Sequence, residues 1–530
     1  MRAGCHVHAR VDMFSAIHTP LFHHENKGLF YVFSFDILSD TNTLNAHAGC
    51  HVHACVDMSR ALENVRKIVA WKRHDSSLMS DLADARPIRS IGIIGAGVMG
   101  AEIAAAYIKH NLPVTIFDNN PSALATIADR IAIELAAGND NAADRAPVER
   151  LLHKASELSK AVRCDLIIES IHETLPAKRE FFSRLQKHLA PDAILASNTS
   201  TIPIGKLAEG VSSPERFCGM HFFHPVRERP IVEIVCGPKT SEKTVAALAA
   251  HAKTIDKLPI VVVDGPGFLV NRLLLPYLTE ALELLMEGVS IEMIENAAVE
   301  FGMAKGPFSL MDEIGLDTTL KAGWNMAAAF PERIPVSPLL VAMIKSGRLG
   351  QKSGAGFFLY PNPAAIVGAG FISHADPPST AKSAKPDPVT TEIIARWAKT
   401  LVHRSTEDVI LRLILPMILE AARIIEEDKV CDARDIDLGA IFGLGFPARR
   451  GGLLWWADTI KPSALLKMFQ PLESIGPRLH PNRLLLELAA DGDRFYSKFT
   501  KSAQTPRPIA PVIFQPGETL ITPTIVNPHF

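Results

Sequence analysis

The stretch Ile91–Gly100, which reads IGIIGAGVMG, decides the fold of the first half of this chain. An apolar run followed at once by glycines in the spacing GxGxxG is typical of a buried strand that turns tightly into a helix. The pattern continues, because residues 99–110 have the spacing of a helix and PVTIFD, from Pro113, has that of a second strand. The sequence therefore predicts a βαβ unit.

The glycines of this unit, Gly95, Gly97 and Gly100, match a dinucleotide-binding turn. The first permits the tight turn, the second lets the backbone approach the pyrophosphate, and the third allows close helix–strand packing. Asp118 ends the second strand eighteen residues after Gly100, where a carboxylate can accept hydrogen bonds from the adenosine ribose. Because a carboxylate there would repel a 2'-phosphate, NAD is favoured over NADP. The alternative for Asp118 is a turn cap, which leaves the ribose role open.

Length and composition limit the function classes. With 530 residues, 47% of them hydrophobic, the chain is long enough for several domains. A net charge of -2 gives no basic field, so nucleic acid is a poor candidate partner. No stretch approaches the ~20 apolar residues of a membrane span, so no integral membrane contact is expected. Seven cysteines and no signal-peptide pattern at the start argue against a disulfide framework and favour a cytoplasmic protein.

Residues 1–86 are left without an assigned fold. They contain a near-repeat, AGCHVHARVDM from Ala3 and AGCHVHACVDM from Ala48, and a helical stretch, SRALENVRKIVAWKR, from Ser59. The repeat has the ligand chemistry for zinc, but a duplicated piece without flanking secondary structure is more often incidental, so no metal site is predicted. The residues concerned are Cys5, His6, His8, Cys50, His51, His53 and Cys55.

Further strand-like runs at CDLIIES, AILASN, RFCGMHFF and PIVEIV predict a mostly parallel sheet covered by helices. After Asn271 the pattern becomes helical, and RLLLPYLTEALELLMEG from Arg272 resembles RLILPMILEAARIIEED from Arg412. We therefore expect an α/β Rossmann-type domain followed by two copies of an all-α domain. The predicted segments are 87–268 (NAD binding), 269–361 (helical, substrate and dimerisation), 362–390 (linker), 391–500 (second helical) and 501–530 (Pro-rich tail).

Four later segments carry a family resemblance: SNTS from Ser197, HFFHP from His221, IVEIV with Glu233, and DGPGFLVNR with Asn271. In this order and spacing, together with GAGVMG, GPF, GLD and GxKSGxGF, they resemble the L-3-hydroxyacyl-CoA dehydrogenase family. The similarity is greatest to the dehydrogenase part of the multifunctional fatty-acid β-oxidation α-subunit. It runs from about residue 87 to about residue 460, and no enoyl-CoA hydratase motif is recognised before it.

The resemblance implies that His221 is the general base, that Glu233 orients it, and that Ser200 and Asn271 bind the substrate oxygen. Independently, neighbouring strands could bring His221 and Glu233, twelve residues apart, into contact. The NAD contacts that the resemblance implies are Gly95, Gly97, Met99, Gly100, Asp118, Glu173, Lys178, Ser200, His224 and Lys352.

Several of these positions have alternatives. Glu173 and Lys178 could be solvated charges at the start of a helix, and Lys352 could cap a turn. His224 stands where the family pattern HFFNP has Asn, and imidazole is bulkier than the amide and can become charged.

The implied reaction is NAD-dependent oxidation of an L-3-hydroxyacyl-CoA thioester to 3-ketoacyl-CoA, with a thiolase subunit or a homodimer as partner. One alternative is a dehydrogenase for a β-hydroxy acid without CoA, because fold does not fix substrate. Another is a non-catalytic scaffold that holds a thiolase. The second helical copy has Leu411 where the first has Asn271, which predicts a structural role for that copy.

Overall fold

The computed structural model describes residues 58–75, 87–137, 145–360, 387–398 and 403–500. The repeated Cys-His clusters and the Pro-rich tail lie outside these residues, as does most of the predicted linker. Within the described part of the chain, a strand-rich region comes first and a helical region follows it. This order is the one that the sequence predicts.

One eight-stranded sheet organises the first region, in the order β3-β2-β1-β4-β5-β6-β7-β8. The first six strands in this order pair in parallel, β7 runs antiparallel to β6, and β8 is parallel to β7. The strands are β1 (Ile91–Ile94), β2 (Val114–Phe117), β3 (Leu152–Lys154), β4 (Leu166–Glu169), β5 (Ile194–Ser197), β6 (Phe217–Phe222), β7 (Ile231–Cys236) and β8 (Leu258–Val263). The mostly parallel sheet is confirmed, and β3 and β8 are additions to the predicted strands.

Helices cover both faces of this sheet, which forms a Rossmann-like fold. Because successive side chains of a strand point to opposite faces, Ile93 and Ile94 of β1 join two different hydrophobic cores. The helices of this region are α1 (Met58–His74), α2 (Val98–Lys109), α3 (Pro121–Ala136), α4 (Ala146–Leu151), α5 (Leu158–Ala161), α6 (Leu175–Leu185), α7 (Ile204–Ala208) and α8 (Glu242–Thr254).

The second region is mainly helical in its described part, as predicted, with two isolated β-bridges among Gly350, Ala355 and Leu359. It comprises α9 (Val270–Met286), α10 (Ile291–Phe301), α11 (Pro307–Ile314), α12 (Leu316–Ala329), α13 (Pro338–Lys345), α14 (Pro388–Trp397), α15 (Thr406–Glu426), α16 (Ala433–Leu438), α17 (Leu453–Ile460), α18 (Pro462–Phe469), α19 (Arg483–Asp491) and α20 (Phe495–Phe499). Helix α14, capped by Asp387, begins inside the segment predicted as linker. A π-helical segment at Gly439–Leu444 follows α16. Among the described residues, no helix is both long and apolar enough to span a bilayer.

Helices α9 and α15 pack against each other at the centre of the helical region. Fifteen of the 21 residues of α15 are buried, so the helix is enclosed on nearly all sides. Arg272 of α9, only 2% exposed, donates from Nε to Glu420 of α15 over 2.8 Å and from Nη1 to Glu427 over 2.7 Å. Burial alone would lower the pKa of Arg272, but the two carboxylates outweigh it and raise that pKa. The arginine therefore stays charged inside the protein.

The reverse pairing also occurs, with an arginine of α15 bound to carboxylates at α9. Arg412 of α15, fully buried, donates from Nε to Glu280 of α9 over 2.9 Å and from Nη1 to Glu287 over 3.0 Å. Each helix thus places one arginine between two carboxylates, one within the other helix and one directly after it. A buried charge of this kind is tolerated because its hydrogen-bonding capacity is satisfied.

Candidate active site

The turn between β1 and α2 needs glycine at two positions and is open at a third. Gly95 has a φ of +108°, and a Cβ there would lie 2.4 Å from the carbonyl oxygen of Ser170. A Cβ on Gly100 would lie 1.9 Å from the carbonyl oxygen of Gly95, so α2 packs directly on the turn. A Cβ on Gly97 would meet nothing within 4 Å, which leaves room for a ligand close to the backbone.

Asp118 is held against this turn. One of its oxygens accepts the amide of Ala96 over 2.7 Å, and the other accepts the amide of Asn120 over 2.8 Å. Arg130 also donates to the carbonyl of Ala96 over 2.7 Å. Since each carboxylate oxygen has two lone pairs, Asp118 can hold the turn and still accept hydrogen bonds from a ribose beside Gly97. The turn-cap and ribose roles are therefore compatible.

Glu173 and Lys178 lie together behind the SNTS segment. Glu173 accepts the hydroxyl of Thr199 over 2.6 Å and the amide of Ser200 over 2.9 Å. Lys178, only 1% exposed, lies 2.5 Å from Glu169 and 3.2 Å from Glu173, so it is not the solvated charge of the alternative interpretation. Burial would raise the pKa of Glu173, but Lys178 and these hydrogen bonds lower it.

His221 and Glu233 are direct partners in the register of β6 and β7. The Nδ1 atom of His221 lies 2.6 Å from Oε2 of Glu233. His221 is 6% exposed and Glu233 fully buried, so little water competes for the contact. A carboxylate on Nδ1 fixes the tautomer and orientation of the ring, which is the arrangement that a general base requires.

The second oxygen of Glu233 is engaged by the beginning of α9. Its Oε1 accepts the amides of Leu269 over 3.0 Å and Val270 over 2.8 Å. The next residue, Asn271, donates from Nδ2 to the carbonyl of Ser200 over 2.9 Å. Three consecutive residues at the start of α9 therefore connect the His221–Glu233 pair with the SNTS segment.

His224 lies beside Glu102 of α2. Its Nδ1 is 2.7 Å from Oε1 of Glu102, a buried carboxylate, although the two groups are not aligned as a hydrogen bond. The other oxygen of Glu102 accepts the amide of Val226 over 2.8 Å. The imidazole that replaces the family asparagine therefore has a charged neighbour.

Met99 and Lys352 belong to different parts of the protein. Met99 lies in the first turn of α2 and packs on the core of the sheet. Lys352 is partly exposed in the helical region, where its ammonium forms an ion pair with Asp317. The roles of both residues in binding NAD stay predictions.

Two family models match this chain: the NAD-binding domain of 3-hydroxyacyl-CoA dehydrogenase over residues 90–265, and its C-terminal domain over residues 267–360. FadB2 of M. tuberculosis is 35% identical over 52% of this chain and 100% of its own, with a TM-score of 0.50. The chain belongs to the 3-hydroxyacyl-CoA dehydrogenase family. This member is an NAD-dependent oxidoreductase, which confirms the family and the cofactor that the sequence predicts.

Two more distant structures share the fold of this family member. A 3-hydroxybutyryl-CoA dehydrogenase from Escherichia coli K12 is 24% identical, covers 78% of this chain and 100% of its own, and has a TM-score of 0.65. The dehydrogenase part of multifunctional enzyme 1 from C. elegans is 23% identical, covers 76% of this chain and 90% of its own, and has a TM-score of 0.51.

The sequence prediction missed two polar residues that hold this site together. Glu169 accepts the hydroxyl of Ser197 over 2.6 Å as well as the ammonium of Lys178. Asn198 accepts the amide of Phe222 over 2.8 Å, which ties the SNTS segment to the strand that carries His221. A signal for both existed, because each is a polar residue at the carboxyl end of a predicted strand.

Asp118→Ala should narrow the preference of this dehydrogenase for NADH over NADPH. Losing a charge-assisted hydrogen bond to the ribose costs roughly 1.5 to 3 kcal/mol, or about tenfold or more in kcat/KM with NADH. Asp118→Asn is the matched control, because it keeps an acceptor for Ala96 while removing the charge. Initial rates with both cofactors measure the effect. Equal efficiency of the wild type with NADH and NADPH would show that Asp118 does not face the ribose.

Proposed function

We propose that this enzyme oxidises L-3-hydroxyacyl-CoA thioesters to 3-ketoacyl-CoA, with His221 as the general base. The contact of 2.6 Å between His221 and Glu233 carries the proposal. Because Nδ1 faces Glu233, Nε2 is the atom that takes the proton of the substrate hydroxyl. Buried Glu233 then stabilises the imidazolium that forms. When bound, NAD supplies the nicotinamide ring that accepts the hydride from C3 of the substrate.

Ser200 and Asn271 are proposed to hold the substrate oxygen. The hydrogen bond from Nδ2 of Asn271 to the backbone carbonyl of Ser200 brings these two residues together. From there they can orient the hydroxyl toward His221, and orientation of this kind can supply a large part of a rate enhancement. Glu173, Lys178, His224, Met99 and Lys352 are proposed NAD contacts.

The proposed substrate class is an acyl-CoA thioester, and the proposed setting is fatty-acid β-oxidation. Both rest on the family assignment and on the resemblance to the dehydrogenase part of the β-oxidation α-subunit. The test is oxidation of NADH by the purified protein with acetoacetyl-CoA, read at the NADH absorbance beside acetoacetate at the same concentration. We expect the protein to turn over acetoacetyl-CoA but not acetoacetate. Equal turnover of acetoacetate would favour the alternative, a dehydrogenase for β-hydroxy acids without CoA.

We further propose that the helical region consists of two copies of one domain. Arg412, Glu420 and Glu427 each lie 140 residues after a residue of the same type in α9 or directly after it. The two sets pair reciprocally, as a two-fold relation between copies requires. The similarity to the E. coli structure also covers 78% of this chain, which extends beyond the two family-model matches.

A second motif repeats in the two proposed copies. Asp312, near the end of α11, accepts the amides of Phe357 and Phe358 over 2.9 and 3.0 Å. Asp458, at the same place in α17, accepts the amides of Phe495 and Tyr496 over 2.8 and 2.9 Å. Burial raises the pKa of Asp312 to about 7 and that of Asp458 to about 6. Both helices end at a residue with positive φ, at positions 315 and 461.

The partners stay proposals. A thiolase subunit or a second copy of the chain are the two candidates. Because α15 already covers the face of α9 that carries Arg272, a homodimer would use another surface. Sedimentation of the purified protein, alone and with a thiolase, distinguishes the two.

A further inference from the structure

We propose that the second helical copy positions the catalytic pair, through Glu427 of the loop after α15 and Gly443 of the π-helical segment. This inference rests on the proposed function of His221 and Glu233. It assigns a role in turnover to a part of the chain that carries no catalytic side chain of its own. The two residues are positioning residues, because they act on the reacting groups through α9.

The first turn of α9 is the element on which the site depends. The amides of Leu269 and Val270 hold Glu233, and Asn271 holds the Ser200 carbonyl. A displacement of this turn would move the carboxylate that orients His221 and also the amide proposed to bind the substrate. Misplacement by about 1 Å can cost about a hundredfold in rate.

Ion pairs between Arg272 and the second copy hold this turn in place. Arg272, the residue directly after Asn271, donates to Glu420 and Glu427. Its guanidinium also lies 5.0 Å from the ring centre of Phe330, and Arg333, which donates to Glu427 over 2.9 Å, lies 4.7 Å from the same ring. Glu427 therefore joins two arginines that both lie against the ring of Phe330.

Close packing of glycines in the second copy also restricts this turn. A Cβ on Gly443 would lie 2.7 Å from Cγ1 of Val270, and a Cβ on Gly439 would lie 3.0 Å from Cδ2 of Leu269. These two contacts fall on the two residues whose amides hold Glu233. Val270 has little freedom to retreat, because a β-branched side chain in a helix has one strongly preferred rotamer.

The internal two-fold relation provides a matched control. Glu287 accepts hydrogen bonds from Arg412 over 3.0 Å and from Arg404 over 2.7 Å. In the same way, Glu427 accepts hydrogen bonds from Arg272 and Arg333. Both glutamates are about a quarter exposed. The residue before Arg412 is Leu411, however, where the residue before Arg272 is Asn271. Removing either carboxylate breaks a similar ion pair, but only Glu427 acts on the turn that holds the site.

The experiment compares the full-length wild type with Glu427→Gln, Glu287→Gln and Gly443→Ala. Each protein is assayed with acetoacetyl-CoA and NADH, its melting temperature is measured, and its concentration of active sites is counted by NADH titration. Both glutamine variants should lose a similar amount of melting temperature. Glu427→Gln and Gly443→Ala should lower kcat per NADH site by about tenfold or more, with the KM for NADH unchanged. Glu287→Gln should leave kcat close to the wild-type value.

Two results would overturn the inference: equal loss of kcat in the two glutamine variants, or an unchanged kcat in Gly443→Ala. If Glu427→Gln does not fold, Gly443→Ala decides the question, because its effect is steric and leaves every ion pair in place. A wild type that binds NADH but does not turn over acetoacetyl-CoA would instead overturn the proposed function.

Discussion

His221→Gln is expected to lower kcat with acetoacetyl-CoA at least about a hundredfold, since removal of a general base typically costs ~10² to 10⁴ in rate. The KM for NADH should change little, because the glycine turn that is proposed to bind the cofactor lies between β1 and α2 rather than on β6. Steady-state kinetics over both substrates measure the two quantities separately. A variant with unchanged kcat would remove His221 from the proposed mechanism.

Glu233→Gln should lose a large part of the same rate. The amide that it introduces cannot stabilise the imidazolium as a carboxylate does, and Glu233 is fully buried. The double variant should be scarcely slower than His221→Gln alone, because residues that act as one unit are non-additive. If the two losses multiplied fully, the residues would act independently, and Glu233 would need another role.

Removal of residues 403–530 is expected to leave an aggregating protein. The deletion takes away α15, exposes the apolar face of α9, and leaves Arg272 without Glu420 and Glu427. Breaking one buried ion pair by removing a partner costs about 3 to 5 kcal/mol, a large share of the ~5 to 15 kcal/mol that separates folded from unfolded protein. Size-exclusion chromatography of the truncated and full-length chains tests this.

A matched control for the truncation is the shorter deletion of residues 501–530, which removes only the Pro-rich tail. The shorter deletion should stay monodisperse and active. A soluble, fully active protein without residues 403–530 would contradict both the structural role of the proposed second copy and its proposed effect on the site.

The sheet could be predicted from sequence to the extent that its strands are apolar and stand beside turn signals. The run LPIVVV of β8 has the apolar character of a buried strand but was not predicted. The three-residue β3, with the sequence LHK, is different, because its side chains are partly or fully exposed and its one strand neighbour in the sheet is β2. Such a strand exists through its neighbour, and no local pattern predicts it.

The candidate site also contains some contacts that the sequence could predict and others that it could not. His221 and Glu233 could be predicted to meet, because each stands on a strand-like run and the two runs are close in sequence. The amides of Leu269 and Val270 could not be predicted as partners of Glu233, since backbone donors carry no sequence signal. The reciprocal contacts of Arg272 and Arg412 join residues more than 130 positions apart, a separation at which local patterns carry no information.

The crossed arginines also bear on how the protein is made. Arg272 is synthesised 155 residues before Glu427. At the ~5 to 20 residues per second of ribosomal synthesis, Glu427 follows Arg272 after roughly 8 to 30 s. During that interval the residues of the sheet, including His221 and Glu233, have been translated. Glu427, which binds the guanidinium of Arg272 in the folded protein, has not. The start of α9 can therefore form all of its native ion pairs only after Glu427 has been translated.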